Sequence, residues 1–255
     1  MIDIHCHLEQ KDYNHDRYSI IKKCQKQLKA IVTSCAHPQN FNLTLEIVEK
    51  FKNFVFATAG MHPIYIKEFS NKDVDLFIEK LKTNRKKFVG IGETGLDYFW
   101  VKNENLRMNQ KKLFAQFISL AKQLELPLII HSRDAYDDTL EILEQEQAKN
   151  IVMHMFGANK LTKRVIENNW HISMNSIVLK SKKHKKVVRD CPIHRLLIET
   201  DSPWLAPDSF MNKRNDPTST SYIVKKVAEI KKASFEEIDE ITTKNAIDFF
   251  QLKIQ

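Results

Sequence analysis

Residues 126–156, LPLIIHSRDAYDDTLEILEQEQAKNIVMHMF, hold a strand, a helix and a second strand in one unbroken run. The segments LPLIIHS (126–132) and NIVMHMF (150–156) are short, apolar and rich in branched residues, as buried strands are. Between them, DDTLEILEQEQ repeats its apolar residues at the three-to-four spacing of one helix face. Two strands joined through a helix run parallel, because only a crossover of that length brings the chain back to the same edge.

The same alternation extends in both directions. IDIH (2–5), AIVTSC (30–35), FVFATAG (54–60), FVGIGET (88–94), WHISMN (170–175) and RLLIETD (195–201) read as further strands, giving eight candidates in all. Segments such as FNLTLEIVEKF and NQKKLFAQFISLAKQL supply helices between them. No G-x-G-x-x-G follows the first strand, so an α/β (β/α)8 TIM-like barrel fits better than an open doubly wound sheet. No repeat, low-complexity tract or linker divides the chain, and a single barrel domain over 1–255 is expected. Two helix starts carry a capping-box pattern, Ser70 with Asp73 and Ser234 with Glu237. The polar, proline-bracketed stretch APDSFMNKRNDP (206–217) reads as a loop after the last strand.

Composition narrows the class of protein. The 255 residues are 42% hydrophobic and 28% charged, which excludes a disordered tail, a collagen-like chain and a coiled-coil fibre. No apolar run approaches the roughly 18 residues of a membrane span, and MIDIHCHLEQ lacks the basic and apolar regions of a signal peptide. A cytoplasmic protein with no membrane association and no obligate protein partner is expected. Cys6, Cys24, Cys35 and Cys191 are scattered, so reduced thiols are expected. The net charge of +8 suits an anionic substrate or nucleic acid, although lysine-rich surfaces also arise without one. Only five glycines occur, Gly60, Gly90, Gly92, Gly95 and Gly157, each close to a histidine or glutamate of interest.

His5 and His7 end the first strand. Residues two apart on a strand face the same way, so both imidazoles can enter one cavity and converge on one ion. Glu93 (GIGETGLD), His131 (LIIHSRDA), His154 (IVMHMFGA) and Asp201 (LLIETDSPW) each follow an apolar run. In a parallel barrel the C-terminal strand ends share one rim, so these six residues would meet around one mouth. Four histidines and two carboxylates form a mixed nitrogen and oxygen set suited to Zn²⁺, Mn²⁺ or Co²⁺.

In order along the chain, IDIHCHL, GMHP, GETGLDYF, HSRDA, HMFGA, ETDSPWLAP and KRNDP resemble the motifs of the TatD-type metal-dependent deoxyribonuclease family. The resemblance covers nearly the whole chain and implies a (β/α)8 barrel, DNA as substrate and two divalent metal ions (Mg, Mn or Zn). It implies that His5, His7, Glu93 and Asp201 hold one ion, that His131 and His154 hold a second, and that Glu93 bridges them. Two motifs depart from the family: HMFGA replaces H-C-F-S-G, and Asp216 stands where the family usually has Glu. Neither departure removes an implied ligand.

Other residues have two readings each. His62, after the third strand, would contact a phosphate, donate a proton to a leaving oxygen, or simply precede Pro63 in a loop. Glu199, two residues before Asp201, reads as a partner of the histidines or an additional ligand. Arg214, with Lys213, could grip a phosphate bidentately. The basic run KSKKHKKVVR (180–189) is a phosphate track or a solvated helix face. Tyr98, Phe99, Trp100 and Trp204 would stack on bases or pack the rim. His15, His37, His171, His184 and His194 receive no role.

The expected function is therefore metal-dependent phosphodiester hydrolysis on DNA, as a 3′–5′ exonuclease, an endonuclease or both, with Asp201 and Glu93 in catalytic positions. Asp201 would orient the attacking water and accept its proton. The rivals are a metal-dependent amide or ester hydrolase of small substrates on the same barrel, and a nucleic-acid-binding protein without catalysis.

Overall fold

The computed structural model describes residues 1–210 and 214–254. Among them, eight strands pair in parallel in chain order: β1 (Ile2–Cys6), β2 (Ala30–Cys35), β3 (Val55–Ala59), β4 (Gly90–Asp97), β5 (Leu128–Arg133), β6 (Ile151–Met153), β7 (His171–Met174) and β8 (Leu196–Ile198). The helices between and after them are α1 (Arg17–Cys24), α2 (Phe41–Lys50), α3 (Asn71–Thr83), α4 (Glu104–Leu124), α5 (Tyr136–Gln145), α6 (Thr162–Glu167), α7 (Lys182–Asp190), α8 (Thr220–Lys231) and α9 (Phe235–Phe250). This is the expected (β/α)8 barrel. No helix among the described residues is long and apolar enough to cross a membrane.

The residues of each strand divide between two packed layers. Ile129, Val152 and Leu197 pack inside the barrel with Ile2, Ile4, Ala30 and Val32, beside Ala246, Phe250 and Leu252 from α9 and the segment after it. Their neighbours Leu128, Ile130, Ile151, Met153, Leu196 and Ile198 pack outward, in one cluster with helix residues such as Phe114, Phe117 and Leu140. Strand alternation carries this division, so His131 follows Ile129 inward and His154 follows Val152.

The barrel closes at a seam that also assembles chemistry. Asp201 N–H donates to His5 O at 2.9 Å, and His7 N–H donates to Ser202 O at 2.7 Å. Buried Asp3 reinforces the seam, accepting from Thr200 N–H at 3.0 Å and from Thr200 Oγ1 at 2.5 Å.

Several boundaries differ from the sequence reading. β6 is three residues long, bracketed by Asn150 and Met155 at positive φ, and His154 stands just past its end with its N–H donating to Ile130 O at 2.9 Å. β8 ends at Ile198, and Asp201 has φ +57°. The period-two argument linking Glu199 to Asp201 therefore fails: Asp201 reaches the mouth through a left-handed turn. β4 instead runs on to Asp97. Ser70 and Asp73 form the reciprocal capping box, whereas Ser234 caps α9 by accepting from Glu237 N–H without a return bond.

Candidate metal centre

Glu93 sits within β4, and its position depends on the glycine before it. Gly92 has φ +141°, and a Cβ there would lie 2.5 Å from Ile129 O. Gly95 has φ +142°, and its Cβ would lie 2.0 Å from His131 O. Only residues without a Cβ let β4 approach β5 this closely, and that approach sets Glu93 beside His131.

The two oxygens of Glu93 face different groups. Oε2 lies 3.3 Å from His5 Nε2 and 3.9 Å from His7 Nε2. Oε1 lies 2.8 Å from His131 Nδ1, 3.3 Å from His62 Nε2 and 3.8 Å from His154 Nε2. Asp201 Oδ1 stands 3.3 Å from His7 Nε2 and 3.7 Å from His5 Nε2. Three donor sets are compact enough for an ion: His5, His7 and Glu93; His5, His154 and Asp201; His62, Glu93 and His131. All six ligand candidates from the sequence thus meet at one mouth, and His62 joins them.

Each outer histidine is oriented by a partner on its far nitrogen. His7 Nδ1–H donates to Ser34 O at 3.0 Å and also meets Glu9 Oε1 at 3.3 Å. His131 Nε2–H donates to Asp97 Oδ2 at 2.9 Å. His154 Nδ1–H donates to Glu199 Oε2 at 2.9 Å, and Ser173 Oγ donates to that same oxygen. Such carboxylate partners fix the tautomer and leave the other nitrogen free for a cation. Glu199 is therefore a partner of His154. Asp97 and Glu9 were missed in the sequence, although the spacing from Glu93 to Asp97 within one strand places both on the same face.

The donors fit a divalent ion. His5 is fully buried and neither of its ring nitrogens has a hydrogen-bond partner among the described residues, although Nε2 faces two carboxylates. A buried imidazole nitrogen in that position calls for a cation between it and the oxygens. Burial and neighbouring His154 hold the His5 pKa below its usual value. Burial opposes charge on Glu93, but His62, His154 and His5 hold it well below the ordinary carboxylate range. Burial likewise opposes charge on Asp201, and His7 and His154 outweigh it. Burial disfavours a proton on His154, yet Glu199 and Glu93 carry its pKa up to about 10. Both carboxylates are thus held toward the anionic form that a divalent ion requires.

The remaining candidates are placed around this centre. Trp204 packs on His7 with ring centroids 4.9 Å apart and is 45% exposed. Trp100 is 65% exposed beside Phe99, over which the Arg133 guanidinium lies at 3.8 Å. Tyr98 instead donates its hydroxyl to Asp138 at 2.6 Å. Arg214 Nη2 donates to Asp16 Oδ2 at 2.6 Å, Nη1 donates to Asp12 O, and the guanidinium lies 4.3 Å from the Tyr13 ring centroid. Lys213 lies outside the described residues. Buried Asn215 donates its amide to Trp204 O at 2.7 Å and Thr200 O at 3.2 Å, and its N–H to Pro203 O at 3.1 Å. In the basic run, His184 packs against Gly157 and accepts no ligand role, while Lys182, Lys183 and Lys186 are exposed. A groove of about 680 Å³ lined by Tyr98, Tyr136, Gly157, Lys160 and Lys183 flanks the mouth. Another cavity of about 610 Å³, lined by Lys52, Arg85, Lys87 and Lys253, opens among the N-terminal strand ends, on the opposite rim.

Comparison with known proteins gives concordant matches. The family model described as TatD related DNase matches residues 2–251. The chain is 36% identical over 259 residues to an uncharacterized metal-dependent hydrolase of Bacillus subtilis, YabD, covering 99% of both chains. It is 28% identical to human deoxyribonuclease TATDN3, covering 98% of this chain and 94% of that one. The crystal structure of YJJV, a TatD homologue of Escherichia coli, superposes with a TM-score of 0.90 at 24% identity over 98% of each chain.

Proposed function

The chain belongs to the TatD-related DNase family of metal-dependent hydrolases, and on that premise we propose that it hydrolyses phosphodiester bonds of DNA. The observation that carries the reading is the division of Glu93: one oxygen toward His5 and His7, the other toward His131, His62 and His154. A carboxylate shared in this way is suited to two cations side by side. His5, His7, Asp201 and Glu93 would hold one ion, and His131, His154 and Glu93 the other. Bound there, divalent ions supply Lewis acidity toward a phosphoryl oxygen and lower the pKa of water.

The protein groups do the rest. Asp201 has a side chain 14% exposed, against 4% for Glu93, and is the carboxylate of the centre that meets solvent. It orients the attacking water and takes its proton. Asp97, Glu9 and Glu199 keep the imidazoles aligned. Arg214 keeps its side chain 29% exposed beside its pairing with Asp16, and this exposed face of the guanidinium would grip a substrate phosphate. The name deoxyribonuclease carried by the human relative, and the net charge of +8, support DNA as the polyanion.

The test is digestion of end-labelled single- and double-stranded DNA by metal-stripped protein resupplied with Mg²⁺, Mn²⁺ or Zn²⁺. Cleavage is expected to return with metal and to fall about 100-fold or more in Asp201→Asn. The product ladder then distinguishes 3′–5′ exonuclease from endonuclease action. Cleavage that persists after chelation, or none with metal bound, would overturn the reading; the latter points to amide or ester hydrolysis of small substrates.

A further inference from the structure

Two histidine–proline pairs follow consecutive strands, His37-Pro38 after β2 and His62-Pro63 after β3. Each histidine caps a short helical turn in the same way. His37 Nδ1 accepts from Gln39 N–H at 3.1 Å, and His62 Nδ1 accepts from Ile64 N–H at 3.2 Å. A nitrogen that accepts a backbone N–H has no room for a proton of its own, so the ring proton is placed on Nε2. His37 turns that proton outward, to Glu68 Oε2 at 3.1 Å. His62 turns it into the centre, 3.3 Å from Glu93 Oε1 and 3.2 Å from His131 Nδ1.

The triangle formed by His62, Glu93 and His131 has the dimensions of a metal-binding face, and the cap decides against that use. A ligating Nε2 must offer a lone pair, which moves the ring proton to Nδ1 and breaks the bond to Ile64. We propose that His62 is a tautomer-locked hydrogen-bond donor, whose Nε2–H binds an anionic oxygen of the substrate and does not ligate metal. The lone pairs it meets now, on Glu93 and His131, are those a cation takes. The N–H is then left facing the mouth, with a negatively charged phosphoryl oxygen as its natural acceptor. The inference rests on the phosphodiesterase reading for the identity of that oxygen.

Two substitutions separate the two ends of the ring. His62→Asn keeps an oxygen where Nδ1 caps Ile64 and loses the donor; His62→Gln keeps an N–H near the Nε2 position. Metal content of the dialysed proteins, binding of inorganic phosphate to the Zn²⁺-loaded proteins, and ¹⁵N chemical shifts of the histidine rings are the readouts. Wild-type metal content is expected in both variants, with phosphate affinity and kcat/KM about 100-fold lower in H62N and at least 10-fold recovered in H62Q. The wild-type His62 signals should show an unprotonated Nδ1 and a protonated Nε2 with and without Zn²⁺. Loss of a metal equivalent in H62N, equal phosphate binding by H62N and wild type, no phosphate binding by wild type, or a protonated Nδ1 overturns the inference. DNA cleavage by the wild type is scored separately, so failure of the nuclease reading is told apart from failure of the donor assignment.

Discussion

His131 donates Nε2–H to Asp97 Oδ2 at 2.9 Å, which leaves the lone pair of Nδ1, 2.8 Å from Glu93 Oε1, to share a cation with that oxygen. Asp97 thus fixes which nitrogen serves the centre. Replacing it with Asn removes the charge that favours Nε2–H and lets the amide present either a donor or an acceptor. Asp97→Asn is expected to weaken metal affinity about 10-fold while the fold survives, read by calorimetric titration of Zn²⁺ or Mn²⁺ into stripped protein beside circular dichroism. Undiminished affinity would show that packing alone orients His131.

Gly95→Ala tests the close approach of β4 and β5. The new Cβ would sit 2.0 Å from His131 O at a φ of +142°. Backbone strain of this kind alone costs about 1–3 kcal/mol, and the overlap adds to it. A large fall in Tm or loss of soluble protein is expected, and a Tm within a degree of wild type would mean the strands separate freely.

Acid sensitivity should trace in part to His171, the first residue of β7, which lies against Phe249. Burial, with Arg195 and His194 nearby, pushes its pKa from 6.5 down to about 4. Between those values the unfolded chain binds the proton and the folded chain refuses it. Stability from this group is therefore complete above pH 6.5 and declines as pH falls toward 4. Urea unfolding at pH 7 and pH 4.5 should show a smaller loss for His171→Gln than for wild type; equal losses would acquit His171.

Arg214→Gln addresses substrate grip. One phosphate contact fewer should reduce the slope of log binding constant against log salt by about 1, with metal content unchanged. DNA binding to D201N protein at several salt concentrations measures it. An unaltered slope would confine Arg214 to holding Asp16.

The strands were legible because each is a short branched run, and the six ligand candidates because each ends such a run on one rim. Ends set by backbone conformation were not legible. Nothing in the residue types announces that Met155 and Asp201 adopt positive φ, so β6 and β8 read too long, and the argument that joined Glu199 to Asp201 used a strand that had already stopped. Partnerships across the barrel were equally hidden. Asp97 lies inside a motif quoted for Glu93 and Glu9 just past one quoted for His5 and His7, and only the folded chain shows that Glu9 meets His7 and Asp97 meets His131. His62 was visible as a residue of the mouth, but the direction of its proton is set by Ile64 N–H, a backbone group that no residue pattern reveals.

Asn215 ties its own backbone to Pro203 and its side chain to Thr200 and Trp204. The turn that carries Asp201 is therefore fastened at its base by a residue fourteen positions further along the chain. Changes after Leu205 therefore meet, before they reach Asp201, a base already held by those hydrogen bonds. On the phosphodiesterase reading, that base lets the approach to the mouth vary in sequence while the carboxylate keeps its place.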